Sequence, residues 1–114
     1  MNPKPFFEHI IRVKMFHFQT MSGFRHLKID DYLTAFLELF DKLGEQCQGL
    51  RGRCKVKEMN IEMKMSNDES MPEDMKLWIQ ELEDMKEEDP DLAGVIDSMI
   101  ELATKQIYLL SFNN

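Results

Sequence analysis

Apolar positions recur along this chain with two different periods. Phe6, Ile10, Val13 and His17 follow at i, i+4, i+7 and i+11, one helical stripe that opens near Pro5, a residue tolerated in a first turn. "TMSG" (Thr20 to Gly23) breaks the stripe, and Gly23 is expected to supply a flexible turn. A second helix is predicted from His26 to Leu50. Its apolar stripe is Ile29, Leu33, Phe36, Phe40, Leu43 and Cys47, with Tyr32 and Leu50 on the flank. Lys28, Asp31, Glu38, Lys42 and Gln46 take the opposite side, and Gly49 and Gly52 end the helix.

The period then changes. Met59, Ile61, Met63 and Met65 alternate with Asn60, Glu62 and Lys64, which predicts an extended stretch over 53–69. No second alternating run exists to pair with it, so it serves as a crossover or pairs with its own copy across a subunit contact. "SMPE" (Ser70 to Glu73) is a capping box opening a third helix, with the stripe Met71, Met75, Trp78, Leu82 and Met85. Trp78 reads as the core anchor of that helix. Asp89 and Pro90 read as the N-cap and first position of a fourth helix. It carries Leu92, Val95, Ile96, Met99, Ala103, Ile107 and Leu110. Helices at about 5–20, 26–50, 71–88 and 90–111 predict one all-α domain over 1–114. Its expected architecture is a ferritin-like four-helix bundle with a long crossover between the second and third helices.

Composition narrows the function classes. The chain of 114 residues is 43% hydrophobic and 31% charged, and its net charge is −7. An acidic body is unsuited to phosphate binding, so nucleic acid is not an expected partner. The single local exception is the basic run "RGRCKVK" from Arg51 to Lys57. Cys47 and Cys54 match no zinc or thioredoxin spacing and are expected to be reduced thiols. Glu8, His9 and Arg12 interrupt the N-terminal apolar residues, which excludes a signal-peptide core there, and no membrane partner is expected. These features fit a cytoplasmic protein, or one of the virion or host cytoplasm. No phosphate loop or nucleophilic triad is present. His9 is expected on a solvated face beside Glu8, and "EDMKEEDPD" (Glu83 to Asp91) reads as an acidic turn and helix cap.

The second helix holds the candidate chemistry. Successive residues advance ~100° around a helix axis, so with Ile29 at zero, His26, Asp30, Asp41 and Glu45 fall at about 60°, 100°, 120° and 160°. All four share one flank, with Leu37 between the two acidic pairs. Asp30 and Asp41 are roughly 16 Å apart along the axis at 1.5 Å per residue and cannot hold one ion within a chain. Antiparallel pairing of two copies about a two-fold axis near Leu37 brings His26 and Asp30 of one against Asp41 and Glu45 of the other. Imidazole with carboxylates suits iron, manganese or zinc.

On these residues the chain resembles the DNA-protection-during-starvation (Dps) mini-ferritins. "HF" (His17, Phe18) sits where that family carries His-Trp, and His26, Asp30, Asp41 and Glu45 reproduce its later spacing. "FHFQTMSGFRH" and "DPDLAGVIDSMIELATKQIYLLSF" look similar to small phage and giant-virus proteins related to the mini-ferritins. The resemblance implies a ferritin-like fold, a homodimer or higher homo-oligomer, and an inter-subunit iron site of ferroxidase type. Its implied ligands are His17, His26, Asp30, Asp41 and Glu45. Phe18 departs from the family's Trp, and the spacing between His17 and His26 is shorter than in typical members. The chain is also shorter than a cage-forming subunit. The alternative is a non-catalytic viral structural or accessory protein that uses the bundle for contacts with other virion proteins.

Overall fold

Four amphipathic segments fold as α-helices in the computed structural model, which describes residues 1–55 and 57–112. They are α1 (Lys4–Gln19), α2 (Gly23–Arg51), α3 (Met71–Glu88) and α4 (Ala93–Leu110), with a single 3-10 turn at Pro90–Leu92 before the last. The protein is thus all-helical, and no described residue lies in a strand. Helix α1 packs on α2, and α4 packs on both α2 and α3.

The core forms where apolar stripes of the helices meet. Phe6 of α1 stacks on Phe40 of α2 at 5.1 Å between ring centroids and meets Trp78 of α3 edge-on at 5.6 Å. Phe36 adds a second edge-on contact to Trp78 at 6.0 Å. Such ring pairs each add roughly 0.5–1.5 kcal/mol beyond the burial of their area. Met71, Met75 and Leu82 of α3 and Val95, Ile96, Met99, Ala103 and Leu110 of α4 are also buried, as their spacing predicted.

Three local expectations are corrected. His9 is not solvated: it is buried at 2% exposure, because α1 turns Phe6, His9, Val13 and Phe16 inward. That stripe is rotated about 50° from the one through Ile10 and His17, computed at 100° per residue. The imidazole lies flat on Trp78 with centroids 4.2 Å apart, and its Nε2 is 2.7 Å from the Tyr32 hydroxyl. Second, Gly23 is the first residue of α2 rather than a flexible turn, because the Ser22 hydroxyl caps the helix by accepting the Arg25 amide at 3.1 Å. Third, neither downstream cap forms as expected. The Ser70 hydroxyl accepts the Asn67 amide instead of an amide in α3, and Asn67 Oδ1 accepts the amides of Glu69 and Ser70. Asp89 makes no side-chain cap bond; Arg51 takes its carboxylate at 2.6 Å.

Helix α2 stops at Gly52, whose φ of +83° is a conformation that favours glycine. From there to α3 the described residues form no helix or strand, only a turn at 68–70. Val56, inside the predicted crossover and the basic run, lies outside the described residues, as do 113–114. The connection is tied down by side chains. Arg12 Nε donates to the Lys64 carbonyl at 2.9 Å, and the Thr20 hydroxyl and Met21 amide donate to the Asp68 carboxylate. At one end of α2, Arg25 donates to the Leu110 carbonyl at 2.6 Å and to Asp68. At the other end, Arg51 reaches Asp89 and Asp91.

Candidate functional site

The turn between α1 and α2 places two histidines face to face. The His17 and His26 rings stack with centroids 3.9 Å apart and planes 20° from parallel. Each ring bonds the other residue's backbone: His17 Nδ1 to the His26 carbonyl at 2.8 Å, and His26 Nδ1 to the His17 carbonyl at 2.7 Å. A carbonyl oxygen only accepts, so both Nδ1 atoms carry hydrogen. In the neutral ring the lone pair is therefore on Nε2, the nitrogen left free to bind a cation. The His17 carbonyl lies in the last turn of α1, where helical acceptors are without helical partners, so the His26 ring also closes that helix end.

Asp30 stands one turn beyond His26, and its Oδ1 is 4.0 Å from His17 Nε2. The same oxygen is 3.4 Å from Lys14 Nζ. Three sequence-predicted residues, His17, His26 and Asp30, thus come together at one end of the first helix pair. Asp41 and Glu45 do not join them. Both are exposed farther along α2 without a side-chain bond or ion pair, roughly 16 Å or more down the axis. Among the described residues, no three His, Cys, Asp or Glu side chains of the one chain stand close enough to hold a metal ion. What the chain presents is two separated partial donor sets on one helix flank.

Apolar side chains surround that flank. Phe18 is 66% exposed, Leu27 is 65% exposed and Leu37 is 40% exposed. The Lys14 ammonium lies 5.4 Å from the centre of the Phe18 ring, close enough for a cation–π contact.

Sequence reasoning missed two parts of this arrangement. Lys14 was not foreseen as the partner of Asp30, although it precedes His17 by three residues and so projects from the same side of α1. The clamp of Arg25 on Asp68 was not foreseen either, since its members are distant in sequence. The Arg25 side chain is only 11% exposed. Burial pushes the Asp68 carboxyl up, but the Thr20 hydroxyl, the Met21 amide and Arg25 together bring it below the usual carboxylate range.

Fold and site together define an all-helical protein of four packed helices with a histidine–aspartate cluster beside its first turn. Residues 17–110 match DUF5856, a family of unknown function, and the chain belongs to that family. No curated protein and no solved structure matches it. Among the described residues, no helix is long and apolar enough to cross a membrane.

Proposed function

We propose that this chain is a mini-ferritin-like bundle that pairs with a second copy along α2 and binds iron between the two. The observation that carries the reading is the reciprocal bonding of His17 and His26, which leaves both Nε2 atoms outside those bonds, with His17 Nε2 4.0 Å from the Asp30 carboxylate. Two imidazoles and a carboxylate are a donor set suited to a first-row metal. The backbone carbonyls that hold each Nδ1–H are the usual outer-shell support of such ligands.

The ties between helix ends support a ferritin-like connectivity. Arg51 joins the end of α2 to the end of α3, and Arg25 joins the start of α2 to Asp68, three residues before α3, and to the end of α4. Parallel α2 and α3 then require a crossover that returns along α1, and the Arg12–Lys64 and Thr20–Asp68 bonds lie along that route.

In this reading His17, His26 and Asp30 hold the ion from one side, and Asp41 and Glu45 of the second copy hold it from the other. Leu37 lies at the two-fold axis. Iron, when bound, supplies the redox chemistry. The chain's own residues fix its position: the stacked rings orient two nitrogens, and the exposed Phe18, Leu27 and Leu37 remove water from the rim on pairing.

Anaerobic Fe(II) titration tests this, with light scattering run alongside. Saturable binding at two ions per dimer is expected, lost in Asp30→Ala and also in Glu45→Ala. Self-association without Fe(II) binding would instead favour the non-catalytic assembly protein.

A further inference from the structure

At the opposite end of α2 from the histidine pair lies an apolar cavity of about 380 Å³. Phe40, Leu43 and Gly44 of α2 form one wall, Phe7 of α1 another, and Met59 of the connecting segment also lines it. Its α2 lining runs from Phe40 to Gln48, about 12 Å along the axis at 1.5 Å per residue. That length leaves a mean cross-section of about 30 Å², room for one extended hydrocarbon chain.

Two further features point to an occupant. Gly44 sits in the interior of α2, where glycine is destabilising, and a Cβ built on it meets nothing within 4 Å. Gly44 thus keeps the α2 wall bare of a side chain where it lines the cavity. Lys55 and Lys57 also border the cavity. Neither has an ion-pair partner, whereas nearby Arg51 is tied to Asp89 and Asp91. Two lysines of the basic run are thus free at the rim of the apolar cavity.

We propose that this cavity binds a medium-chain acyl carboxylate, with the chain along Phe40, Leu43 and Gly44 and the carboxylate at Lys55 and Lys57. An apolar slot of a few hundred Å³ with a small number of charged groups at one place is the usual form of a small-molecule site. The site shares no residue with the proposed iron ligands, and it is read by decanoate binding in the absence of Fe(II), so its failure and that of the iron reading are distinguishable.

Calorimetric titration of the full chain with decanoate, below its micellar concentration, and with decanol as the neutral control tests the proposal. Saturable one-to-one decanoate binding is expected, at least tenfold tighter than decanol. Gly44→Leu fills the slot and should abolish binding while the helical circular-dichroism signal and melting temperature are kept. Lys55→Glu with Lys57→Glu leaves the apolar walls intact, so decanoate should weaken at least tenfold and decanol remain unchanged. The proposal is overturned if decanoate does not saturate, if decanol binds equally well, or if the lysine reversal leaves decanoate affinity unchanged. Sedimentation with anionic phospholipid vesicles in the absence of decanoate binding would likewise overturn it, since the surface would then be reading a lipid headgroup.

Discussion

Lowering the pH should destabilise the core at His9. The imidazole is buried between Trp78 and Tyr32, and its Nδ1 has no hydrogen-bond partner. Burial, and secondarily the nearby Arg12 guanidinium, hold its pKa well below the ordinary 6.5. The sign follows from proton counting. Between the folded pKa and about 6.5, the unfolded chain binds a proton that the folded chain does not, so stability falls as pH falls. The slope approaches about 1.4 kcal/mol per pH unit while the folded imidazole stays neutral, so stability should fall steadily as pH drops below about 6.5. His9→Phe removes this dependence and leaves the Tyr32 hydroxyl unpaired, which costs about 1–3 kcal/mol at pH 7.5. The variant is therefore less stable at neutral pH, and its deficit should shrink as the pH falls. Urea unfolding followed by circular dichroism from pH 4.5 to 8 measures both curves. His17 and His26 are present in both proteins, so the difference between the curves isolates His9. Parallel curves across the whole range would refute the reasoning.

Other perturbations test the rest of the framework. Arg25→Ala strips the Leu110 carbonyl and the Asp68 carboxylate of a nearly buried donor, and should cost about 2–3 kcal/mol in chemical denaturation. Lys14→Met removes the cation competing for Asp30 in a half-exposed pair, and should tighten Fe(II) binding by about two- to fivefold in the same anaerobic titration. Leu37→Asp puts a charge at the proposed two-fold contact and should weaken self-association at least about tenfold by sedimentation, with the melting temperature little changed. Gly44→Ala should stabilise the monomer by about 0.5–1 kcal/mol, because the helix gains propensity and the new methyl meets no neighbour.

Helix existence and most of the core were legible because long segments repeat an apolar stripe. Met71, Met75, Trp78 and Leu82 needed only spacing, and so did Ile96, Met99 and Ala103. The errors fall where a polar residue is buried or a side chain has a better partner than the local one. His9 and Gln106 lie on core faces that hydropathy assigns to Ile10 and Ile107, both of which are only partly buried. Pairing across the bundle with Trp78 and Tyr32 is what makes the burial of His9 tolerable, and no local pattern encodes it. Asp89 and Ser70 have good capping chemistry, but Arg51 claims the first and the Asn67 turn the second. Of the candidate site, the placement of His26, Asp30, Asp41 and Glu45 on one flank of α2 was readable from the 3.6-residue period. The stacking of His17 on His26 was not, because it depends on the exact exit of α1.

That exit is held by residues between and beside the two histidines. Thr20, the α1 cap, donates to Asp68; Met21 donates to the other carboxylate oxygen; and Arg25, in the first turn of α2, pairs with the same group. One carboxylate thereby locks the α1–α2 turn, and the histidines on either side of it have little freedom to separate. The Asp68 pKa lies below the ordinary carboxylate value, so its contribution is present above the unfolded pKa and is lost only as pH falls through the lower folded value. His9, by contrast, begins to cost stability as soon as the pH drops under about 6.5. Acid should therefore weaken the aromatic core over a range in which the Asp68 clamp on the turn still holds. A short turn with a tight polar lock thus fixes the spacing of His17 and His26, the geometry on which the proposed site rests.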